Sequence, residues 1–132
     1  MSVSQYKSIK TRKDVKLFQE LSNGLHDGYI ARVEYNNTGI SLNEKCYYFD
    51  HAGRTLVLHI LVSSLIEYPT FEIIFRNVYE WQINDDCSEI LCFSIKFVED
   101  GMMLWANDCS ESISDLKKDC YVICEGIEYR ML

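Results

Sequence analysis

The residues in this chain best suited to chemistry are its three histidines and the carboxylates beside them. Leu25-His26-Asp27-Gly28 sets an imidazole next to a carboxylate, the raw material of general acid–base catalysis. Adjacent side chains of an extended chain point to opposite faces, so the ordinary role of this tetrapeptide is a turn: Asp27 bonds nearby backbone N–H groups, and His26 caps or packs. No recognisable nucleophile motif accompanies it. Asp50-His51 falls in a hairpin turn and His59 in an apolar run. Three histidines are the ligand count of many catalytic zinc sites, but the chain has neither His-x-His nor His-Glu-x-x-His spacing. His59 is therefore expected as a satisfied, half-buried sheet residue.

The cysteines add no metal centre. Cys87 and Cys92 are separated by four residues and Cys120 and Cys124 by three, and neither pair is the Cys-x-x-Cys of a zinc ribbon. In a chain long enough to build its own core, these four with Cys46 and Cys109 read as free, mostly buried thiols. The calcium loop Asp-x-Asp-x-Asp-Gly is absent, and no phosphate-binding loop is found. Asn36-Asn37-Thr38 matches a glycosylation acceptor that has no meaning without export. No metal and no cofactor is expected, and the chain reads as non-enzymatic.

What remains is surface. Residues 1–16 hold five of the 13 basic residues against the single acid Asp14, leaving eight basic and nineteen acidic residues, a net −11, in the body. Such a body repels the phosphates that nucleic-acid binding depends on neutralising, so no nucleic-acid partner is expected. Acids gather at Asp85-Asp86-Glu89, Glu99-Asp100 and Asp108-Glu111, where they either solvate hairpin ends or steer a basic protein partner. Aromatic residues make up 13% of the chain, and Tyr79 with Trp81, and Trp105, are of the kind that anchors interfaces as well as filling sheets. The expected binding residues are His26, Asp27, Trp81, Asp85, Asp86, Trp105 and Asp108.

The elements that must position them follow from length and periodicity. At 132 residues with 48% hydrophobic residues and one proline, the chain has the size and composition of a single packed domain. The apolar stretch Thr55–Ile66 is broken by His59, Ser63 and Ser64 and falls short of the roughly 20 residues of a membrane span. The N-terminus lacks the apolar core of a secretory signal, and a cytoplasmic location is expected. Residues 1–10 read as a flexible basic arm. Val15, Phe18 and Leu21 recur at helical spacing, predicting a helix over 11–23 that stops at Asn23-Gly24.

Residues 28–130 then change to strand-length runs, predicting an α+β, mostly β fold: a helix followed by about eight antiparallel strands in a sandwich or partly open barrel. The runs are 28–35, 45–50, 55–65, 70–75, 78–83, 89–99, 102–107 and 121–129, with Pro69 in a connection; 110–119 is a short helix or a loop. Asp100-Gly101 suggests a two-residue type I′ turn with residue 97 opposite 104 and 95 opposite 106. That register puts Phe93, Ile95, Phe97, Leu104 and Ala106 on the core face and Met103 and Trp105 on the other. Tyr79 and Trp81 share a face by strand parity.

The patches Leu25-His26-Asp27-Gly28, Phe71-Glu72-Ile73-Ile74-Phe75 with Asn77-Val78, Glu99-Asp100-Gly101 leading to Leu104-Trp105-Ala106-Asn107-Asp108, and Ile127-Glu128-Tyr129-Arg130 resemble a group of small bacterial proteins of no established activity. In that group the first patch commonly reads Leu-His-Asp-Ser, the tryptophan patch Trp-Ala-Asp-Asp, and the ending is of a Lys/Tyr-Trp-Arg type; Gly28, Asn107 and Tyr129 depart from it. Some acidic β proteins of this kind resemble immunity proteins, which bind and neutralise a toxin. The resemblance implies a stand-alone domain. Three functions follow in order: a protein-binding domain with an acidic surface and a basic partner; a small-ligand-binding barrel or small enzyme with a pocket holding His26 and Asp27 beside Trp105; and a homodimer paired through a strand edge.

Overall fold

A computed structural model describes residues 5–37, 40–42, 47–49, 53–62, 70–84, 89–90 and 92–132. The elements in chain order are β1 (Lys7–Ile9), α1 (Arg12–Leu21), β2 (Gly28–Asn36), β3 (Ile40–Leu42), β4 (Tyr47–Phe49), β5 (Thr55–Leu61), β6 (Thr70–Gln82), β7 (Glu89–Ile90), β8 (Ser94–Phe97), β9 (Met103–Ala106), α2 (Ile113–Leu116) and β10 (Tyr121–Met131). Eight antiparallel strands form one curled half-barrel sheet in the order β7-β2-β5-β6-β10-β9-β8, and β1 also pairs with β10; β3 and β4 pair apart from it. The mostly β architecture expected from the sequence is the one observed.

Residues 7–9 are therefore a strand and not part of a free arm. Ile9 is buried, which gives an otherwise basic segment an apolar residue to dock beside β10. Thr11 caps α1 in a capping box: its hydroxyl accepts from the Asp14 N–H, and the Asp14 carboxylate accepts from the Thr11 N–H at 3.0 Å. The helix plugs the half-barrel with Val15 and Phe18. The Phe18 ring lies 4.3 Å from Tyr129, 5.3 Å from Phe93 and 5.8 Å from Phe71. At its end Asn23, Gly24, Leu25 and Asp27 all have positive φ, a tight bend that seats Leu25 in the core. Left-handed backbone costs a branched side chain free energy, here offset by full burial of that leucine.

The core comes from alternate residues of β5 (Leu56, Leu58, Ile60) and β6 (Phe71, Ile73, Phe75), joined by Met103, Trp105, Val122, Cys124, Ile127 and Tyr129. A smaller apolar cluster lies on the other face of β9 and β10, where α2 drops Leu116 onto Leu104, Ala106 and Tyr121. The segment 110–119 thus contains a one-turn helix, capped by Ser112.

Three further expectations are corrected. The runs 70–75 and 78–83 are one strand, because Asn77 takes a left-handed φ of 54° inside β6 and its amide secures it, donating to Glu125 at 3.0 Å and accepting from the Gly53 N–H at 3.0 Å. The β8–β9 hairpin has a three-residue loop, 99–101, with Asp100 and Gly101 both left-handed, closed by the Val98 N–H donating to the Met102 carbonyl at 2.9 Å. Phe97 therefore faces Met103 and Ile95 faces Trp105, one residue from the expected register, and every β9 side chain changes face. Third, Cys120 is engaged in a disulfide and Cys109 is exposed, so free buried thiols describe only part of the set. Separation along the chain does not reveal which sulfurs a fold brings together.

Candidate functional site

The register just described builds a groove on the sheet face opposite the core. Glu80, Ile123 and Leu104 lie side by side across β6, β10 and β9. Beside them the β6–β10 pairing steps from Cys124 opposite Val78 to Ile123 opposite Glu80, which makes Tyr79 the extra residue of a β-bulge. A bulge re-aims a side chain, and the Tyr79 ring is left 59% exposed. The 99–101 loop brings Met102 to one wall, and α2 brings Ile113 to another. The result is a groove of about 780 Å³ with Leu104 and Ile123 as its floor, bordered by Tyr79, Phe97 and Ile113. Phe97 shares the Met103 face and borders the groove from the end of the edge strand β8; it and Ile113 are 40% and 46% exposed, so with Tyr79 three large apolar side chains meet water around the depression.

Its electrostatics are acidic. Glu80 accepts from the Tyr121 hydroxyl at 2.6 Å and lies 3.5 Å from the Lys117 ammonium, which in turn sits over the Tyr121 ring. The hydrogen bond to Glu80, with burial, pushes the Tyr121 phenol up to about 12. Glu99 and Asp100 also border the groove and form no ion pair among the described residues. Among the described residues that line it, Lys117 is the one cation, set against the carboxylates of Glu80, Glu99 and Asp100.

A second polar feature lies elsewhere on β6. Glu72 is buried, directly between His59 on β5 and Arg130 on β10. Its carboxylate lies 2.7 Å from His59 Nε2, accepts from Arg130 Nε at 3.0 Å, and accepts from the Tyr6 hydroxyl, while Arg130 stacks on the Tyr6 ring. Each carboxylate oxygen is satisfied, and His59 is the half-buried sheet residue its apolar strand suggested. The cluster ties the N-terminal segment to three strands.

The residues singled out from sequence do not assemble into one site. His26 and Asp27 are exposed and 3.6 Å apart, at the bend after α1. Trp105 is fully buried against Phe75, the direct consequence of the shifted register, and cannot anchor a partner. Trp81 is half-buried, 5.0 Å from Tyr35, so it does not share a surface with exposed Tyr79. Asp108 is exposed and accepts from the Cys109 N–H at 2.7 Å. Asp85 and Asp86 lie outside the described residues, as does His51. His26 does line a cavity, of about 560 Å³, but with Cys92 and Cys109 in place of Asp27 and Trp105. Gly28 has no room for a side chain: a Cβ would lie 2.8 Å from the Leu25 carbonyl oxygen.

Among the described residues no three His, Cys, Asp or Glu side chains converge as metal ligands, and no helix is long and apolar enough to cross a membrane. No protein-family model matches the chain, and no curated protein or solved structure is significantly similar to it.

Sequence reasoning missed Tyr79, Phe97, Met102 and Ile113 as a group. Phe97 and Met102 were visible as apolar residues flanking the acidic turn Glu99-Asp100-Gly101, but Tyr79 joins them only through the bulge and Ile113 only through α2.

Proposed function

We propose that this chain is a non-enzymatic protein-binding domain whose groove receives a basic, amphipathic segment of a partner protein. The observation that carries the reading is the convergence of exposed Tyr79, Phe97 and Ile113 around one apolar groove beside Glu99 and Asp100, which form no ion pair among the described residues. Apolar anchors surrounded by a charged rim are the anatomy of a protein interface. The net charge of −7 acts in the same sense, attracting a basic partner and repelling acidic competitors. Met102 gives one wall an adaptable side chain. The resemblance to immunity-type proteins adds one specific form of this function, in which the partner is a toxin; the groove itself asks only for a basic amphipathic segment.

The test is a nuclear magnetic resonance titration with two helical peptides of equal length, one of leucine and lysine and one of leucine and glutamate. The lysine peptide should perturb Tyr79, Phe97, Asp100 and Ile113, with binding that weakens as salt rises. Equal responses to both peptides, or perturbations centred elsewhere, would sink the assignment.

A further inference from the structure

The cavity beside the end of α1 carries a chemistry that the binding groove does not use. Ser94 stands opposite Ala106, so the chain reaches Cys92 two residues before that pair and Cys109 three residues after it. Two hydrogen bonds hold these segments together: Ser94 Oγ donates to the Asp108 carbonyl at 2.7 Å, and Cys109 Sγ donates to the Phe93 carbonyl at 3.5 Å. The Cys92 and Cys109 side chains thus face one cavity from two segments that these bonds hold together. Cys109 is exposed and Cys92 is half-buried behind it. Both line the cavity of about 560 Å³, whose other walls include Lys16, Gln19 and His26.

We propose that Cys92 and Cys109 form a reversible thiol–disulfide pair, oxidised by small disulfides of the glutathione class that enter this cavity. The Cys109 sulfur, as thiolate, attacks one sulfur of the small disulfide; the S–S bond breaks, and one small thiolate departs and takes up a proton. The Cys92 sulfur then attacks the mixed disulfide on Cys109, displacing the second small thiolate, to which the Cys92 proton is passed. In sum the two protein thiols lose two electrons and two protons, and one small disulfide becomes two small thiols.

The order of the sulfurs follows from their surroundings. Cys109 meets solvent, whereas the Cys92 thiol is pushed up to about 12, first by burial and then by the hydrogen bond with Cys109 and the charge of Asp108. A thiol that keeps its proton is the resolving partner, not the initial nucleophile. A disulfide needs the two sulfurs about 2.05 Å apart, and rotation of two side chains that line the same cavity is the movement that brings them there.

The experiment treats the intact folded protein with oxidised glutathione under native conditions, quenches with acid, blocks remaining thiols, and maps peptides by mass spectrometry without reduction. The expected result is a peptide pair joined through Cys92 and Cys109 and lighter by two hydrogens, with buried Cys124 still a thiol. Cys92→Ser should trap glutathione on Cys109, and Cys109→Ser should leave Cys92 unmodified. Glutathione retained on wild-type Cys109 without the crosslink, or no reaction at Cys109, would overturn the proposal. If either serine variant fails to fold by circular dichroism, the wild-type map alone decides.

Discussion

Replacing Trp105 by phenylalanine and by alanine separates the observed β8–β9 register from the one-residue alternative. Trp105 is fully buried, its ring 5.7 Å from Phe75, and its indole N–H has no hydrogen-bond partner among the described residues. An unsatisfied buried donor costs about 1–3 kcal/mol. Phenylalanine removes that donor while giving up about 40 Å² of apolar contact, worth about 1 kcal/mol at ~25 cal/mol per Å². The terms oppose each other, so Trp105→Phe should leave stability within about 1 kcal/mol of wild type, roughly 3–5 °C in Tm. Alanine also removes the donor but empties the site, and should cost about 3–5 kcal/mol. Urea unfolding followed by far-ultraviolet circular dichroism reads both without relying on the deleted fluorophore. A Trp105→Ala cost below about 1 kcal/mol would place the indole at the surface and refute the register. A large Trp105→Phe cost would show that the indole N–H has a partner.

Gly28→Ala should destabilise by about 1–3 kcal/mol, since its Cβ would lie 2.8 Å from a backbone oxygen that cannot move aside; a neutral result in thermal unfolding would contradict that contact. Asp14 has its pKa lowered below 3.8, chiefly by the Lys10 N–H that its carboxylate accepts. A depressed carboxylate stabilises the fold fully above its unfolded pKa and loses that share as pH falls through its folded pKa. The difference in stability between wild type and Asp14→Asn should therefore be constant above pH ~5 and change only in acid; a difference that varies around neutrality would count against this reading. Tyr121 runs the other way: raised from 10.0 to about 12, its contribution is complete below pH 10 and is lost as pH rises toward 12. In an ultraviolet titration, Tyr121→Phe should remove one late-ionising tyrosine, and an unchanged titration curve would exclude the bond to Glu80.

Much of the fold was legible because local rules and tertiary structure agree. The helical spacing of Val15 and Phe18, with the stop at Asn23-Gly24, predicted α1 to within a residue or two of its observed end. The run 55–65 predicted β5, whose Leu56, Leu58 and Ile60 turn out to be buried. The reading failed where a single backbone angle decided the outcome. Asp-Gly fits a two-residue or a three-residue loop, and the choice flips every side chain of β9, sending Trp105 inward and Leu104 outward. Asn77 looked like a break between strands and is a left-handed residue within one. The Glu72 cluster joins residues 13 and 58 positions apart, and the thiol pair is just as non-local, so no spacing rule could show either. Trp105 was chosen as an anchor by residue type and is buried for the same reason, since exposure follows from register and from the bulge at Tyr79.

Whether the groove is the binding surface is decided by the affinity of the leucine–lysine peptide for three proteins: wild type, a Phe97→Asp/Ile113→Asp groove variant, and Tyr29→Asp, which alters an exposed aromatic on β2 away from the groove. The groove variant should lose about 2 kcal/mol or more, roughly 30-fold in Kd, while Tyr29→Asp binds as wild type. Undiminished affinity in the groove variant, or an equal loss in Tyr29→Asp, would contradict the assignment of the groove as the binding site.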